Sequence, residues 1–118
     1  MLQLKNISKD QVIYLSGPMT GLPDYNRPAF DERARLMREA GYIVNNPADI
    51  SRQYGLDKPY AFFFRESMRM LLRSDVVYVF GDITNSKGAI MELNVAKTAE
   101  MPVIWEVCLK GGTLCQER

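Results

Sequence analysis

The sequence contains no histidine, so any catalysis near neutral pH must use other side chains. This excludes Ser-His-Asp and Cys-His nucleophile activation and every zinc site with an imidazole ligand. Carboxylates, tyrosine, lysine, arginine, hydroxyl groups and backbone amides remain as the groups that could do chemistry. We therefore look for members of this set at positions that packing alone does not explain.

One carboxylate, Glu92, falls in the middle of a predicted apolar helix face. At 100° per residue, a helix over residues 86–100 has a small apolar side formed by Gly88, Ala89, Val95, Ala96 and Ala99. Burying an unpaired carboxylate there costs several kilocalories per mole, so Glu92 needs a partner in the core or a cavity with a ligand. The partner in the core could be a buried arginine in a structural ion pair, or Glu92 could cap a neighbouring loop. The sequence leaves both the core partner and the ligand cavity open.

The start of this helix has the features of an anion site. Ser86 and Gly88 stand where a strand is predicted to lead into the helix, and the free N–H groups and dipole there favour a group such as phosphate. Ser86 is also a good N-cap residue, and the two roles are compatible.

A second cluster is the segment Tyr-Leu-Ser-Gly-Pro-Met-Thr-Gly at 14–21. Its glycines would let a ligand approach the backbone, although the spacing is weak evidence because turns use glycine anyway. Tyr14, at the end of a predicted buried strand, is of a type that more often belongs to the core than to a site.

The elements that position these clusters alternate between short apolar strands and longer helices. Strands are predicted at 12–15, 42–45, 76–80 and 102–105, and helices from Asn26 or Arg27 to Gly41, at 59–73 and at 86–100, with an irregular stretch at 48–58. This order predicts an α/β fold: a three-layer, flavodoxin-like or Rossmann-like parallel sheet of four to five strands with helices on both faces. Ligands bind such sheets at the carboxyl ends of the strands, where both clusters are expected.

Length, charge and hydropathy limit the classes of protein to which this chain can belong. The 118 residues, 47% of them hydrophobic, predict a single domain over 1–118, and the net charge of +1 argues against a nucleic-acid surface. The absence of a long apolar run predicts a cytoplasmic protein without a membrane partner. A disulfide between Cys108 and Cys115 is geometrically possible, but without an export signal we expect free thiols.

Four segments resemble, in order, the nucleoside 2-deoxyribosyltransferase superfamily. They are the segment at 14–21, Gly-Tyr-Ile-Val-Asn-Asn-Pro at 41–47, Ser-Asp-Val-Val-Tyr-Val at 74–79, and Ser-Lys-Gly-Ala-Ile-Met-Glu at 86–92 followed by Ala96. The resemblance covers about residues 12–105 and is closest to the DUF4406 branch, which is common in phages and prophages. It implies that Glu92 attacks C1′ of a deoxynucleoside or its 5′-monophosphate and holds the sugar as an ester, which water or another base then takes.

The resemblance also implies roles for other residues, without a metal or cofactor. Tyr14 would orient Glu92. Ser86 stands where the transferases have Asp and the deoxynucleoside monophosphate N-glycosidases have Ser, which favours a nucleotide. The implied phosphate and substrate contacts are Gly17, Pro18, Met19, Gly21, Asn46, Ser86 and Gly88.

Three departures from the family pattern bear on the site. Thr20 replaces an arginine of the monophosphate enzymes, so the cation would have to be Arg27 or Lys87. Glu66 is the nearest candidate for the acid that handles the leaving base, although Arg69 at i+3 favours a solvated ion pair. The sequence ends soon after Trp105, whereas family members complete their sites with C-terminal residues of a neighbouring subunit, and the resemblance therefore implies a homodimer or larger assembly.

The sequence thus predicts an enzyme that cleaves or transfers at the N-glycosidic bond of a nucleotide or nucleoside. The alternative is a nucleotide-binding protein without turnover, such as a phage protein that sequesters a nucleotide. A third possibility is a structural or partner-binding domain.

Overall fold

A five-stranded sheet covered by helices on both faces organises the computed structural model, which describes residues 4–110 and 113–117, with side chains to residue 107. The strands are β1 (Val12–Ser16), β2 (Ile43–Asn45), β3 (Val76–Val79), β4 (Val103–Lys110) and β5 (Thr113–Glu117). The helices are α1 (Arg27–Glu39), α2 (Ala48–Tyr54), α3 (Tyr60–Leu72) and α4 (Lys87–Thr98), and a 3-10 helix covers Pro23–Asn26. The predicted α/β fold is confirmed.

The strand order is β2-β1-β3-β4-β5, with the first four strands parallel and β5 antiparallel to β4. The chain leaves β1 for β2 on one side and later returns to β3 on the other. The carboxyl ends of β1 and β3 therefore diverge at a topological switch point, where open α/β sheets bind ligands.

Two local predictions were wrong. The stretch 48–58 was expected to be irregular, but its first part forms α2, because the Asn46 side-chain oxygen accepts from the Ala48 N–H (3.0 Å) and Ile50 is buried. The last predicted strand continues beyond residue 105, because β5 pairs with it. Cys108 and Cys115 face each other in the register of β4 and β5, but their side chains lie outside the described ones, so their redox state stays a prediction.

Successive side chains of β1 point to opposite faces of the sheet. The strand therefore contributes to two parts of the core and directs the site residues to one face. Ile13 and Leu15 pack on the face covered by α1, against residues such as Phe30. Tyr14 lies on the opposite face, against α3 and α4, and its core neighbours are Leu71, Val77, Val79 and Ala96. Because side chains alternate across a strand, Ser16 shares the face of Tyr14.

The apolar side chains of α3 are only partly buried. Leu71 is fully buried, whereas Leu72 is 59% exposed. Phe63 and Phe64 are half-buried because they face a cavity instead of the sheet. In the described part of the chain, no helix combines the length and apolar character that crossing a membrane requires. The expected cytoplasmic location stays a prediction.

A buried ion pair lies in the layer between α1 and the sheet. The Arg33 guanidinium donates to both Glu106 carboxylate oxygens (2.7 and 2.9 Å) and stacks 4.1 Å from the centre of the Phe80 ring. The Tyr78 hydroxyl donates to the same carboxylate at 3.0 Å. These contacts explain how an arginine is accommodated beside the core.

We predict strong coupling between Arg33 and Glu106. Replacing either one by leucine leaves a buried charge without its partner and should lower the free energy of unfolding by about 3 kcal/mol. The double substitution should lower it by less than the sum of the two single effects. Urea unfolding of both single variants and the double variant measures this. Arg35→Ala, on the exposed side of α1, is the control and should change little. Additive costs would contradict the coupling.

Candidate active site

Glu92 is held from the sheet by two hydroxyl groups of β1. The Tyr14 hydroxyl donates to its Oε2, and the Ser16 hydroxyl donates to its Oε1 at 2.8 Å. Tyr14 and Ser16 are fully buried, and Glu92 is 8% exposed. The predicted partner in the core is therefore a pair of neutral hydroxyl donors and not a cation.

Burial governs the ionisation of this pair. Desolvation raises the pKa of Glu92 to about 7, against the opposing effect of the two hydroxyl donors. Burial and the adjacent Glu92 charge raise the pKa of Tyr14 well above its ordinary value of 10.0, while a hydrogen bond with Ser67 lowers it. Tyr14 consequently stays protonated at neutral pH and remains a donor to Glu92 in either state of the carboxyl group.

Glu92 borders a cavity of about 520 Å³ at the switch point of the sheet. One part of the wall is aromatic and comprises Tyr25, Tyr60, Phe63 and Phe64. Tyr60 and Phe64 stack with their ring centres 6.1 Å apart. A flat ligand group that can stack on aromatic rings fits a wall of this kind.

The cavity also carries three cations, Arg27, Lys58 and Lys87. Arg27 pairs with Asp24 and donates to Ser51 (3.2 Å), and the Lys58 ammonium lies 5.5 Å from the centre of the Phe62 ring. Glu92 is the only carboxylate among the described residues that line the cavity. Cations on the wall and one buried acid favour a ligand with an anionic group.

Several of the residues predicted from the sequence come together here. Glu92, Gly17, Met19, Ser86 and Gly88 line the cavity, and Tyr14 lies behind Glu92. The Ser86 hydroxyl also accepts from the Ala89 N–H at 3.3 Å, so Ser86 is the N-cap of α4.

The two glycines that line the cavity have close neighbours. A Cβ atom on Gly17 would lie 2.8 Å from the Phe80 ring, and one on Gly88 would lie 3.2 Å from the Tyr60 hydroxyl. Any side chain at position 17 would therefore displace a buried ring of the core.

Besides Tyr14, four predicted site residues are not among the described residues that line the cavity. Pro18 accepts through its carbonyl from the Asn26 amide (2.9 Å), and Gly21 is a turn residue with a φ of +86°. Asn46 is buried, donates to Asp31 (3.1 Å) and accepts at the start of α2. Glu66 forms an ion pair with Arg69, the alternative that the i+3 spacing favoured.

Other residues at the site were not predicted. Ser16 could have been found, because it lies two residues after Tyr14 and therefore on the same face of β1. Ser67 lies four residues after Phe63, at a spacing that places both on one side of α3. Lys58 lies in the loop between α2 and α3, and Tyr60 is the first residue of α3, so helical spacing identifies neither of them as a site residue.

We predict that Glu92→Gln changes the pH dependence of stability. The folded protein holds the Glu92 proton up to a pH of about 7, whereas the ordinary value is 4.5, so between these values the unfolded chain binds fewer protons and stability falls as pH rises. Between pH 4 and pH 8 the free energy of unfolding of the wild type should fall by about 3 kcal/mol relative to that of Glu92→Gln.

Urea unfolding at a series of pH values from 4 to 8 measures this difference. Thr98→Ala, a neutral substitution on α4, is the control and should follow the wild-type profile. Parallel profiles for wild type and Glu92→Gln would contradict the raised pKa.

Comparisons with known proteins agree with this architecture. Among solved structures, the 2-deoxyribosyltransferase of the psychrotolerant bacterium Bacillus psychrosaccharolyticus shares the fold, with a TM-score of 0.58 at 20% identity, over 78% of this chain and 69% of that chain. A sequence search of curated proteins finds no match. The family described as "Domain of unknown function (DUF4406)" matches residues 11–105. The chain therefore belongs to the DUF4406 family.

Proposed function

We propose that this protein cleaves or transfers at the N-glycosidic bond of a nucleoside or nucleoside 5′-monophosphate, with Glu92 as nucleophile. The observation that carries the proposal is a buried carboxylate, held at both oxygens by hydroxyl groups, that borders a cavity with aromatic and cationic walls. The fold shared with a 2-deoxyribosyltransferase supports it.

The reaction has two displacements at the same carbon. Glu92 attacks C1′ while the C1′–N bond breaks, and the electron pair goes to the leaving base, which takes a proton from solvent. Water or a second base then bonds to C1′ and loses a proton, while the ester bond breaks and its electron pair returns to Glu92. Two inversions retain the configuration at C1′.

The charge distribution of the cavity supports a phosphorylated substrate. Lys58 and Lys87 line the cavity, and the structure gives neither of them an ion pair in the part of the chain that it describes. Ser86 and Gly88 belong to the first turn of α4, where the dipole and N–H groups favour an anion. This arrangement provides the cationic contact that Thr20 does not.

The expected assembly into homodimers stays a proposal. Apolar side chains are exposed on α3 and α4, including Leu72, Ile90 and Met91. A second copy of the chain could cover them.

The enzyme hypothesis predicts that Glu92→Ala abolishes release of free base. Wild-type protein incubated with deoxynucleoside monophosphates should release base at a rate that rises with pH through about 7, as Glu92 ionises. Glu92→Ala should lower kcat by about 1,000-fold or more, because no other carboxylate of the described lining can replace it. Chromatography of the base gives the rate.

Asn94→Ala, an exposed substitution on the same helix, is the control and should keep wild-type activity. Tight nucleotide binding by the wild type without any released base would contradict the enzyme hypothesis. That result would favour the sequestering protein.

The phosphate preference gives a separate prediction. Lys58→Ala and Lys87→Ala should each raise KM for a deoxynucleoside monophosphate by about tenfold, with less than a twofold change for the matching nucleoside, because only the former has a phosphate to pair. Steady-state kinetics with both substrates gives the comparison. Lys97→Ala, near the far end of α4, serves as the control. Equal losses for nucleoside and nucleotide would exclude a phosphate contact.

A further inference from the structure

A hydroxyl group that packing does not require holds the buried carboxylate beside Tyr14. Ser16 is the last residue of β1 and is 1% exposed, and its hydroxyl donates to Glu92 Oε1 at 2.8 Å. An alanine would occupy the same space in the core. The hydroxyl is therefore explained by its charge-assisted bond to Glu92 and not by the shape of the site.

The bond between Ser16 and Glu92 lies next to the cavity wall. Glu92 itself borders the cavity, and so does Gly17, which follows Ser16 directly in the chain. Tyr14 holds Oε2 and Ser16 holds Oε1, so each carboxylate oxygen has its own hydroxyl donor.

We propose that Ser16 is a positioning residue for Glu92 and that its hydroxyl fixes Oε1, beside the cavity, for attack on C1′. The role rests on the proposed function, because it requires Glu92 to be the nucleophile. Oε1 bonds to C1′ as the base departs with the electron pair of the C1′–N bond. When the acceptor bonds to C1′, the Oε1–C1′ bond breaks, its electron pair stays on Oε1, and Ser16 again donates to that oxygen while keeping its own proton.

The surroundings of Glu92 allow the contribution of Ser16 to be isolated. The titratable group that contacts Glu92 is Tyr14 on β1, and the cations of the shared cavity are Arg27, Lys58 and Lys87. β3 contributes only Val77 and Val79 to the core on this face, and α3 contributes Ser67, which bonds to Tyr14. Ser16→Ala removes one donor and leaves all of these charges in place.

The first measurement needs no turnover. Carbon-13 NMR of the Glu92 carboxyl group, assigned with Glu92→Gln, follows its titration in wild type, Ser16→Ala and Ser16→Thr. Removing the donor should raise the pKa of Glu92 by about one unit or more, and threonine should restore it. Ser74→Ala is the matched control, because Ser74 is a buried serine whose hydroxyl bonds to the Met70 carbonyl instead (2.9 Å).

The second measurement is base release as a function of pH. At pH 7 Ser16→Ala should lower kcat about fivefold with less than a twofold change in KM, and the loss should shrink toward pH 9 as Glu92 ionises fully. An unchanged Glu92 titration in Ser16→Ala, or the same kinetic loss in Ser74→Ala, would overturn the role of Ser16 while wild-type base release still supported Glu92. No base release from wild type would overturn both proposals.

Discussion

The carboxylate of Glu92 lies between the sheet and α4, where two hydroxyl groups of β1 replace the water that would otherwise solvate it. Much of the architecture follows from this arrangement. β1 must lie inside the sheet and end at the switch point, so that Tyr14 and Ser16 both face α4. The buried alanines Ala89 and Ala96 flank Glu92 along α4 and let the helix approach the sheet closely enough for its side chain to reach them. Larger residues at those positions would separate the carboxylate from its donors.

The ionised form of Glu92, which the proposed reaction requires, is the form that burial destabilises. A cation beside Glu92 would stabilise the charged form and lower its pKa, but it would also hold the oxygens that must attack carbon. Neutral hydroxyls leave the pKa near 7, so the carboxylate is partly ionised at neutral pH and only weakly neutralised. The contribution of Glu92 to the free energy of unfolding is smallest where Glu92 is fully charged, which is also where the proposed reaction is fastest. Sites with such a conflict are often sites of function.

Local periodicity explains what could be predicted from the sequence. The alternation of strands and helices predicted the parallel sheet, and helical spacing placed Glu92 on a buried face, where it is found. The partner of Glu92 and the cavity walls depend on contacts between elements distant in sequence, which periodicity does not encode. Asn46 illustrates the limit: the family resemblance implied a ligand contact, but in the fold its side chain bonds to Asp31 and to the start of α2. Ser16 illustrates the opposite case: it was not predicted, although its period-two spacing from Tyr14 would have been sufficient to find it.

The net charge of the chain is near zero, but the charges around the cavity are unevenly distributed. Positive charge is concentrated on the cavity wall at Arg27, Lys58 and Lys87, while the acid of the cavity is buried at Glu92. In the proposed reaction, the positive charge that develops at C1′ as the base departs forms beside this carboxylate, which stabilises it. A phosphate group of the proposed substrate would pair with the cations instead. Substrate binding and bond cleavage would therefore rely on different charged groups.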